Sequence, residues 1–159
     1  ILEKITGKKI YGFRAPKFMR PDIKIIKKAG FRYDSSINPI YLPGHYNNYF
    51  KNRKKHVENG LIVIPISTTP LIRLPMFWIA ARNFGLFYTK LCTRLCLINN
   101  NQANLLFHSW EFIDINNKKF SKLGKLSVRN TGKNLVNMLD GYIRWGKEKY
   151  KFKTFKEIV

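Results

Sequence analysis

The chain has 159 residues, which is enough for one domain with a hydrophobic core. Apolar residues make up 45% and aromatic residues 14% of the composition, which excludes a disordered tail. The formal net charge is +21, but the basic residues are scattered from Lys8–Lys9 through Lys118–Lys119 to Lys147–Lys153. Neither an RNA-binding aromatic signature nor a zinc finger lies among them, so we expect no nucleic-acid partner. An anionic cell-envelope surface is compatible with the charge.

Predicted helices and short apolar strands alternate along the chain. Periodicity and caps predict helices over 1–6, 21–29, 75–97 and 134–150, of which the first two end at Gly7 and Gly30. Short apolar runs predict strands over 8–13, 31–33, 61–66 and 103–108, with a polar loop over 38–59. This alternation indicates an α/β fold with a mainly parallel sheet, whose strands are too few for a closed barrel.

The most apolar region, Pro75–Leu97, is too interrupted by charge for a transmembrane span, because it contains Arg82, Lys90 and Arg94. It fits either a helix that packs into the core or one that faces the cell envelope. The chain has two cysteines, Cys92 and Cys96, which are too few for a zinc quartet or a disulfide framework. We therefore expect both to be buried thiols.

Three polar side chains follow predicted strands. Arg14 comes after the first strand, Asp34 after the second and His108 after the fourth. Because function in parallel α/β sheets gathers at the carboxyl ends of the strands, we expect these three residues on one rim. Arg, Asp and His side chains together are suited to proton transfer or to stabilising an anion.

Three segments follow one another along the chain, GFRAPKF at 12–18, AGFRYDSSI at 29–37 and LLFHSWE at 105–111. In this order they resemble the third, fourth and fifth motifs of polysaccharide deacetylases. The chain is similar to the NodB-homology enzymes of carbohydrate esterase family four, and especially to the subgroup that carries "GFRAPxF", "GFxYDSSI" and "HPWE". Order and spacing agree over nearly the whole chain, although Ser109 replaces the usual Pro.

The resemblance implies a partial distorted (β/α) barrel, with residues 1–159 as the C-terminal part of a single catalytic domain. It also implies hydrolysis of N-acetyl groups on amino-sugar polysaccharides such as chitin, peptidoglycan or exopolysaccharide. Family members hold a divalent metal, usually zinc, through one Asp and two His of their first two motifs, "TFDD" and "HxxxH". Neither motif is present in these residues, so we expect no metal ligands here and no turnover by the chain alone.

The resemblance also assigns roles to the residues that match. Arg14 corresponds to the Arg that pairs with the catalytic base, an Asp of the first motif, and keeps that carboxylate ionised and oriented. The backbone N–H of Lys17 corresponds to an oxyanion donor. His108 corresponds to the general acid that protonates the leaving amine.

Three further residues have looser assignments. Leu105 matches the apolar residue that lines the pocket for the acetyl methyl group. Trp110 can stack on a sugar face or fill the core. Asp34 can pair with His108 and tune its proton affinity, or it can cap a turn, since Asp-Ser-Ser is ordinary turn chemistry.

The chain starts at Ile1, and residues 1–5 resemble the middle of an amphipathic helix with no cap before it. We therefore expect an upstream segment that supplies the rest of the barrel and the metal ligands. The alternative is a non-catalytic, basic carbohydrate- or envelope-binding remnant, suggested by the net charge of +21 and the absent ligands. Motifs one and two in the preceding coding sequence would distinguish these hypotheses.

Overall fold

A computed structural model describes residues 1–115 and 121–159. The Lys118–Lys119 pair of the scattered basic residues lies outside this described part. The chain divides into two compact units, the first formed by Ile1–Ile66 with Lys153–Val159 and the second by Ser67–Phe152.

The elements are short in the first unit and mainly helical in the second. In the described residues the helices are α1 (Leu2–Thr6), α2 (Ile23–Lys28), α3 (Trp78–Asn100), α4 (Lys122–Val128), α5 (Lys133–Lys147) and α6 (Phe155–Ile158). The strands are β1 (Gly12–Phe13), β2 (Tyr33–Asp34), β3 (Tyr41–Leu42), β4 (Tyr46–Asn47), β5 (His56–Glu58) and β6 (Leu61–Val63). Single 3₁₀ turns occupy Pro16–Phe18 and Ser109–Phe112.

The first unit is built on a four-stranded sheet in the order β1-β2-β6-β5. Strands β1, β2 and β6 run parallel, and β5 pairs with β6 in the antiparallel sense. The parallel part of the sheet was predicted from the alternation of strands and helices. A separate antiparallel pair joins β3 to β4.

Helix α2 covers one face of this sheet. It begins after Asp22, whose carboxylate accepts a hydrogen bond from the backbone N–H of Lys24 at 2.7 Å. Ile23 and Ile26, one turn apart, are both buried and form a core cluster with residues of the sheet. The predicted helix at 21–29 is confirmed with slightly narrower bounds, since Asp22 acts as its N-cap.

The predicted polar loop over 38–59 is wrong in part, because β3, β4 and β5 lie within it. Strand β5 returns into β6 through Asn59 and Gly60, whose φ angles are +49° and +74°. Two consecutive left-handed residues make the tight hairpin turn whose twist matches antiparallel strands, and Asn-Gly is the sequence that adopts it most readily. The Asn59–Gly60 pair was therefore an available sequence signal for a β-hairpin, and so for a strand before it.

The second unit packs its two long helices, α3 and α5, against each other. The hydroxyls of Thr93 and Tyr142 lie 2.8 Å apart at this contact. Gly85, with φ +76° and ψ −165°, interrupts the helical geometry of α3 after its second turn. Cys92 and Cys96 are fully buried free thiols, as predicted. Within 1–115 and 121–159, every helix falls short of the length or apolar character needed to cross a membrane.

The predicted strand over 103–108 is wrong. Within this segment Leu106 forms a single isolated parallel bridge with Phe77. The N–H of Asn104 donates to the Ser67 hydroxyl at 2.7 Å, and its carbonyl accepts the Ser67 backbone N–H at 3.2 Å. Because these isolated contacts take the place of a continuous ladder, the segment is not a strand, and His108 does not end one.

The structure is thus mixed α/β with small sheets. The partial barrel and the single catalytic domain over 1–159 stay predictions. Arg14 and Asp34 belong to the first unit and His108 to the second, so the shared rim also stays a prediction.

Candidate functional site

His108 stands at the start of the 3₁₀ turn Ser109–Phe112 and is held there by Glu111. One carboxylate oxygen of Glu111, Oε1, accepts the backbone N–H of His108 at 2.6 Å and lies 2.9 Å from His108 Nδ1. The His108 side chain is 43% exposed, whereas that of Glu111 is 0% exposed. Since an ionised carboxylate only accepts hydrogen bonds, Nδ1 carries a proton in this contact and Nε2 is left to act on a ligand.

The other oxygen of Glu111 is bound by Arg82 of α3. Arg82 Nε donates to Oε2 at 2.7 Å, and neither side chain is exposed to solvent. The two terminal nitrogens of the guanidinium donate to the backbone carbonyls of Arg129 and Ser127. Burial lowers the pKa of Arg82, while the charge of Glu111 acts to raise it. Every side of the guanidinium therefore has an acceptor, and Glu111 is fixed between a buried cation and an exposed imidazole.

A glycine in the next loop sets the position of this turn. Gly132 donates its N–H to the backbone carbonyl of Glu111 at 2.8 Å. Its φ is +65°, and a Cβ placed there would come within 2.8 Å of Asp114 Cβ. Both the left-handed backbone and the close approach require glycine at this point.

Two tryptophans enclose the imidazole. The Trp110 ring is stacked on His108 at a centroid distance of 5.9 Å, and the Trp78 ring meets His108 edge-on at 5.4 Å. Arg82 lies over both indoles, with its Cζ 5.2 Å from Trp78 and 5.6 Å from Trp110. We call these five residues, Trp78, Arg82, His108, Trp110 and Glu111, the histidine cluster. It combines an exposed imidazole, a buried ion pair and a partly exposed aromatic surface.

Arg14 is held at the carboxyl end of the sheet in the first unit. Its Nε donates to the backbone carbonyl of Ser35 at 3.0 Å and its Nη2 to the Ser35 hydroxyl at 2.7 Å. The same hydroxyl donates to the carbonyl of Ile64 at 2.6 Å, which ties the arginine to the end of β6. Burial lowers the pKa of Arg14, while Tyr33 and Asp34 act to raise it.

Two left-handed residues follow Arg14 in the 3₁₀ turn. Lys17 has φ +53° and Phe18 has φ +57°. For residues that carry a Cβ this conformation costs about 1–2 kcal/mol each. Among the described residues the Lys17 N–H has no acceptor, whereas the N–H of Phe18 is bonded to Ala15 O at 3.2 Å. Strained backbone with a free donor fits the predicted oxyanion role of Lys17, which stays a prediction.

Asp34 is completely buried and has partners for both carboxylate oxygens in its own unit. Oδ1 accepts the Ser36 N–H at 3.1 Å and also a short hydrogen bond from the Ser36 hydroxyl. Oδ2 lies 2.8 Å from Arg20 Nε, in an ion pair without hydrogen-bond alignment, and Arg20 also binds Glu58 at 3.0 Å. The turn-capping alternative for Asp34 is therefore present in the structure. Its predicted pairing with His108 stays a prediction.

The two predicted substrate contacts have different surroundings. Trp110 is 37% exposed and belongs to the histidine cluster. Leu105 is half-buried and packs against the core cluster of Met76, Cys92 and Cys96. Its predicted role in an acetyl pocket stays a prediction.

Sequence reasoning missed Arg82 and Glu111 as functional residues. An acid three residues after a turn-starting residue is the spacing of a capping box, so the His108–Glu111 spacing was an available signal. Arg82 was noted only as a charge within an apolar helix. A cation in such a stretch needs a buried acceptor, but the sequence does not show which of the acids supplies it.

Among the residues that the structure describes, no group of three or more His, Cys, Asp and Glu side chains is arranged to hold a metal ion. The divalent metal implied by the resemblance thus has no fitting site in this part of the chain. No family model matches the chain, and neither a curated protein nor a solved structure matches it. The family assignment therefore rests on the three sequence motifs and stays a prediction.

Proposed function

We propose that this chain contributes the proton-donating side of a metal-dependent polysaccharide deacetylase that hydrolyses N-acetyl groups of amino-sugar glycans. The observation that carries the proposal is the contact chain from buried Arg82 through buried Glu111 to exposed His108. The imidazole contacts a buried carboxylate whose second oxygen is fixed by a buried guanidinium. This arrangement orients one ring nitrogen and leaves the other for a reacting group.

His108 acts as the general acid. When the tetrahedral intermediate of amide hydrolysis collapses, the C–N bond breaks and the amine nitrogen must receive a proton. Nε2 of the imidazolium donates that proton, and Glu111 keeps the Nδ1–H in place throughout. The carboxylate also stabilises the positive charge that the ring carries before transfer.

Arg14 and Lys17 have separate roles in the proposal. Arg14, already fixed on Ser35 through Nε and Nη2, orients the carboxylate of the base. The unpaired N–H of Lys17 donates to the oxyanion. The divalent metal of the family would supply an acidified water, with ligands outside the residues described above.

The substrate class follows from the surface around His108. Trp110 offers a partly exposed indole whose face can pack on the apolar face of a pyranose ring. An N-acetylated amino-sugar polymer combines such rings with the amide that the proposed chemistry needs. The basic chain would also attract an anionic glycan over a distance, with a net charge of +21.

The test measures acetate release from chito-oligosaccharides, peptidoglycan fragments and exopolysaccharide by the protein expressed from its complete native reading frame, with Zn²⁺ supplied. His108→Ala is expected to lower kcat by about 100-fold or more, as loss of a general acid does. His45→Ala is the matched control, since His45 is exposed and lies on a loop. Unchanged acetate release by His108→Ala would exclude the general-acid role.

The second candidate is a non-catalytic, basic remnant of the same fold that binds carbohydrate or the cell envelope. It is favoured by the net charge of +21 together with the exposed Trp110. Under this alternative the protein binds glycan without releasing acetate, and Trp110→Ala weakens binding while His108→Ala does not. Acetate release that depends on His108 would reject it.

A further inference from the structure

One face of α3 carries large apolar side chains that the structure leaves exposed. Phe87, Leu91 and Ile98 lie at helical spacing on the same face, and the exposed fractions of Phe87 and Ile98 are 81% and 85%. We call Phe87, Leu91 and Ile98 the α3 stripe.

The α3 stripe lies opposite the side of the helix that packs inside the unit. The buried residues of this part of α3 are Thr89, Cys92, Thr93 and Cys96. On the helical wheel they fall on the far side from Phe87 and Ile98. In the described part of the chain, α3 therefore buries one face inside its unit, while Phe87 and Ile98 on the opposite face stay exposed.

The charged residues of α3 itself are all positive. The sequence of α3 contains Arg82, Lys90 and Arg94 but no Asp or Glu. Lys90 and Arg94 border the stripe on one side, and both reach the Trp145 ring, with Nζ at 5.4 Å and Cζ at 5.6 Å from its centroid. This contact holds two cations at the edge of an exposed apolar surface.

We propose that the α3 stripe docks on the surface of an anionic lipid bilayer, with α3 parallel to the membrane plane. Phe87, Leu91 and Ile98 enter the boundary between headgroups and acyl chains, while Lys90 and Arg94 contact the lipid phosphates. An exposed apolar face with basic residues along its border is the pattern of helices that lie in a membrane interface. The proposal is independent of the deacetylase chemistry.

Charge decides between a bilayer and other occupants of this surface. A second copy of the chain would bring together two bodies of net charge +21 with Lys90 and Arg94 at the contact, and these repel. A nucleic acid would attract the cations, and its bases could stack on Phe87, but it has no continuous apolar layer to cover Leu91 and Ile98. An anionic bilayer supplies both the negative charge and the apolar layer.

The experiment is vesicle co-sedimentation of the full chain. Vesicles of phosphatidylcholine alone are compared with vesicles of phosphatidylcholine and phosphatidylglycerol at a three-to-one molar ratio. We expect binding to the anionic vesicles, and we expect Phe87→Ala/Ile98→Ala to weaken it by about tenfold or more. Lys90→Gln/Arg94→Gln is expected to weaken it by about tenfold as well.

Matched variants separate the α3 stripe from general charge and apolarity. Phe50 and Ile25 are comparably exposed in the first unit, so Phe50→Ala/Ile25→Ala should leave binding unchanged. Lys24→Gln/Lys28→Gln removes two exposed cations of α2 in the first unit and should change binding less than twofold. Thermal unfolding of each variant checks that it is folded.

Three results would overturn the proposal. They are absence of binding to the anionic vesicles, binding that Phe87→Ala/Ile98→Ala leaves unchanged, and a self-association in sedimentation velocity that this same variant abolishes. The last result would assign the α3 stripe to a second copy of the chain.

Discussion

Arg82 and Glu111 form an ion pair in which Nε and Oε2 are 2.7 Å apart and neither side chain is exposed to solvent. Burying two charges is unfavourable unless each has a partner and the remaining polar atoms are satisfied. Here the guanidinium also donates to two backbone carbonyls, and the carboxylate also holds His108. Because Glu111 contacts both Arg82 and His108, the buried ion pair fixes the orientation of the exposed imidazole.

Removing one member of this pair should destabilise the protein strongly. Glu111→Ala leaves the Arg82 guanidinium buried without its counter-ion, and we expect the free energy of unfolding to fall by about 3–5 kcal/mol. Urea unfolding followed by circular dichroism measures the change. The control is Asp140→Ala, which removes a partner of Arg144 at 2.9 Å in an exposed pair on α5. Its expected cost is about 0.5 kcal/mol or less.

The double variant Arg82→Met/Glu111→Leu tests whether the cost comes from the unpaired charge. Because the double variant leaves no unpaired ion at this position, it should be more stable than Glu111→Ala alone. Equal instability of the two variants would mean that packing of the turn, and not the charge, accounts for the loss.

The sequence predicts the elements whose signals are local. Helix α2 follows from Pro21 before it, Gly30 after it and isoleucines at helical spacing, and β1, β2 and β6 follow from apolar runs in alternation with helices. The segment 103–108 has the same apolar run, but Ser67 and Phe77 give it isolated contacts instead of a strand partner. Apolar runs alone do not distinguish these two outcomes.

The candidate site is less predictable than the elements. His108 is marked by its motif, but the role of Glu111 depends on Arg82, which precedes it by 29 residues. Their contact depends on how α3 packs beside the turn at Ser109–Phe112, and no local pattern encodes that packing. The ion pair of Asp34 with Arg20 is equally hard to predict from the sequence, because Arg20 contacts it from another part of the first unit.

Gly132 should be more sensitive to substitution than other left-handed glycines. Gly132→Ala combines a φ of +65° with a Cβ that would approach Asp114 Cα to 2.9 Å. We expect it to destabilise the protein by more than the roughly 1–2 kcal/mol of a left-handed alanine. Gly30→Ala is the matched control, because Gly30 has φ +87° and nothing within 4 Å of the added Cβ. Thermal denaturation should place Gly132→Ala clearly below Gly30→Ala, and the reverse order would contradict the contact.

Ser35 should be needed to hold Arg14. Ser35→Ala removes the hydroxyl that accepts a partly buried hydrogen bond from Arg14 Nη2. The same hydroxyl donates a buried hydrogen bond to the carbonyl of Ile64, which is also lost. The unpaired groups should reduce the free energy of unfolding by about 1–3 kcal/mol. Under the proposed function, acetate release should also fall by about tenfold or more in Ser35→Ala and in Arg14→Lys.

The control for Arg14→Lys is Arg32→Lys. Arg32 is exposed and lies over the Tyr11 ring with its Cζ 4.7 Å from the centroid. This variant should retain both stability and acetate release. If Arg14→Lys retains the same stability and acetate release as Arg32→Lys, the two hydrogen bonds from Arg14 to Ser35 have no functional role.

Alkaline pH should destabilise the second unit. Burial raises the pKa of Cys92 above its ordinary value of 9.0 and that of Tyr142 above 10.0. For both groups the folded state therefore holds its proton more tightly than the unfolded state does. The resulting stability is fully present below these ordinary values and is lost as pH rises through the higher folded pKa values.

Urea unfolding at neutral pH and at successive alkaline pH values measures this dependence. The midpoint should decline above the ordinary pKa of cysteine, 9.0, and the decline should be shallower in Cys92→Ala than in the unmodified sequence. Ile25→Ala, an exposed substitution in α2, should keep the original slope. The Cys92 thiol should also react with a disulfide reagent only as fast as the protein unfolds, since protonated buried thiols are poor nucleophiles. Rapid modification of the folded protein at neutral pH would contradict the buried, protonated state.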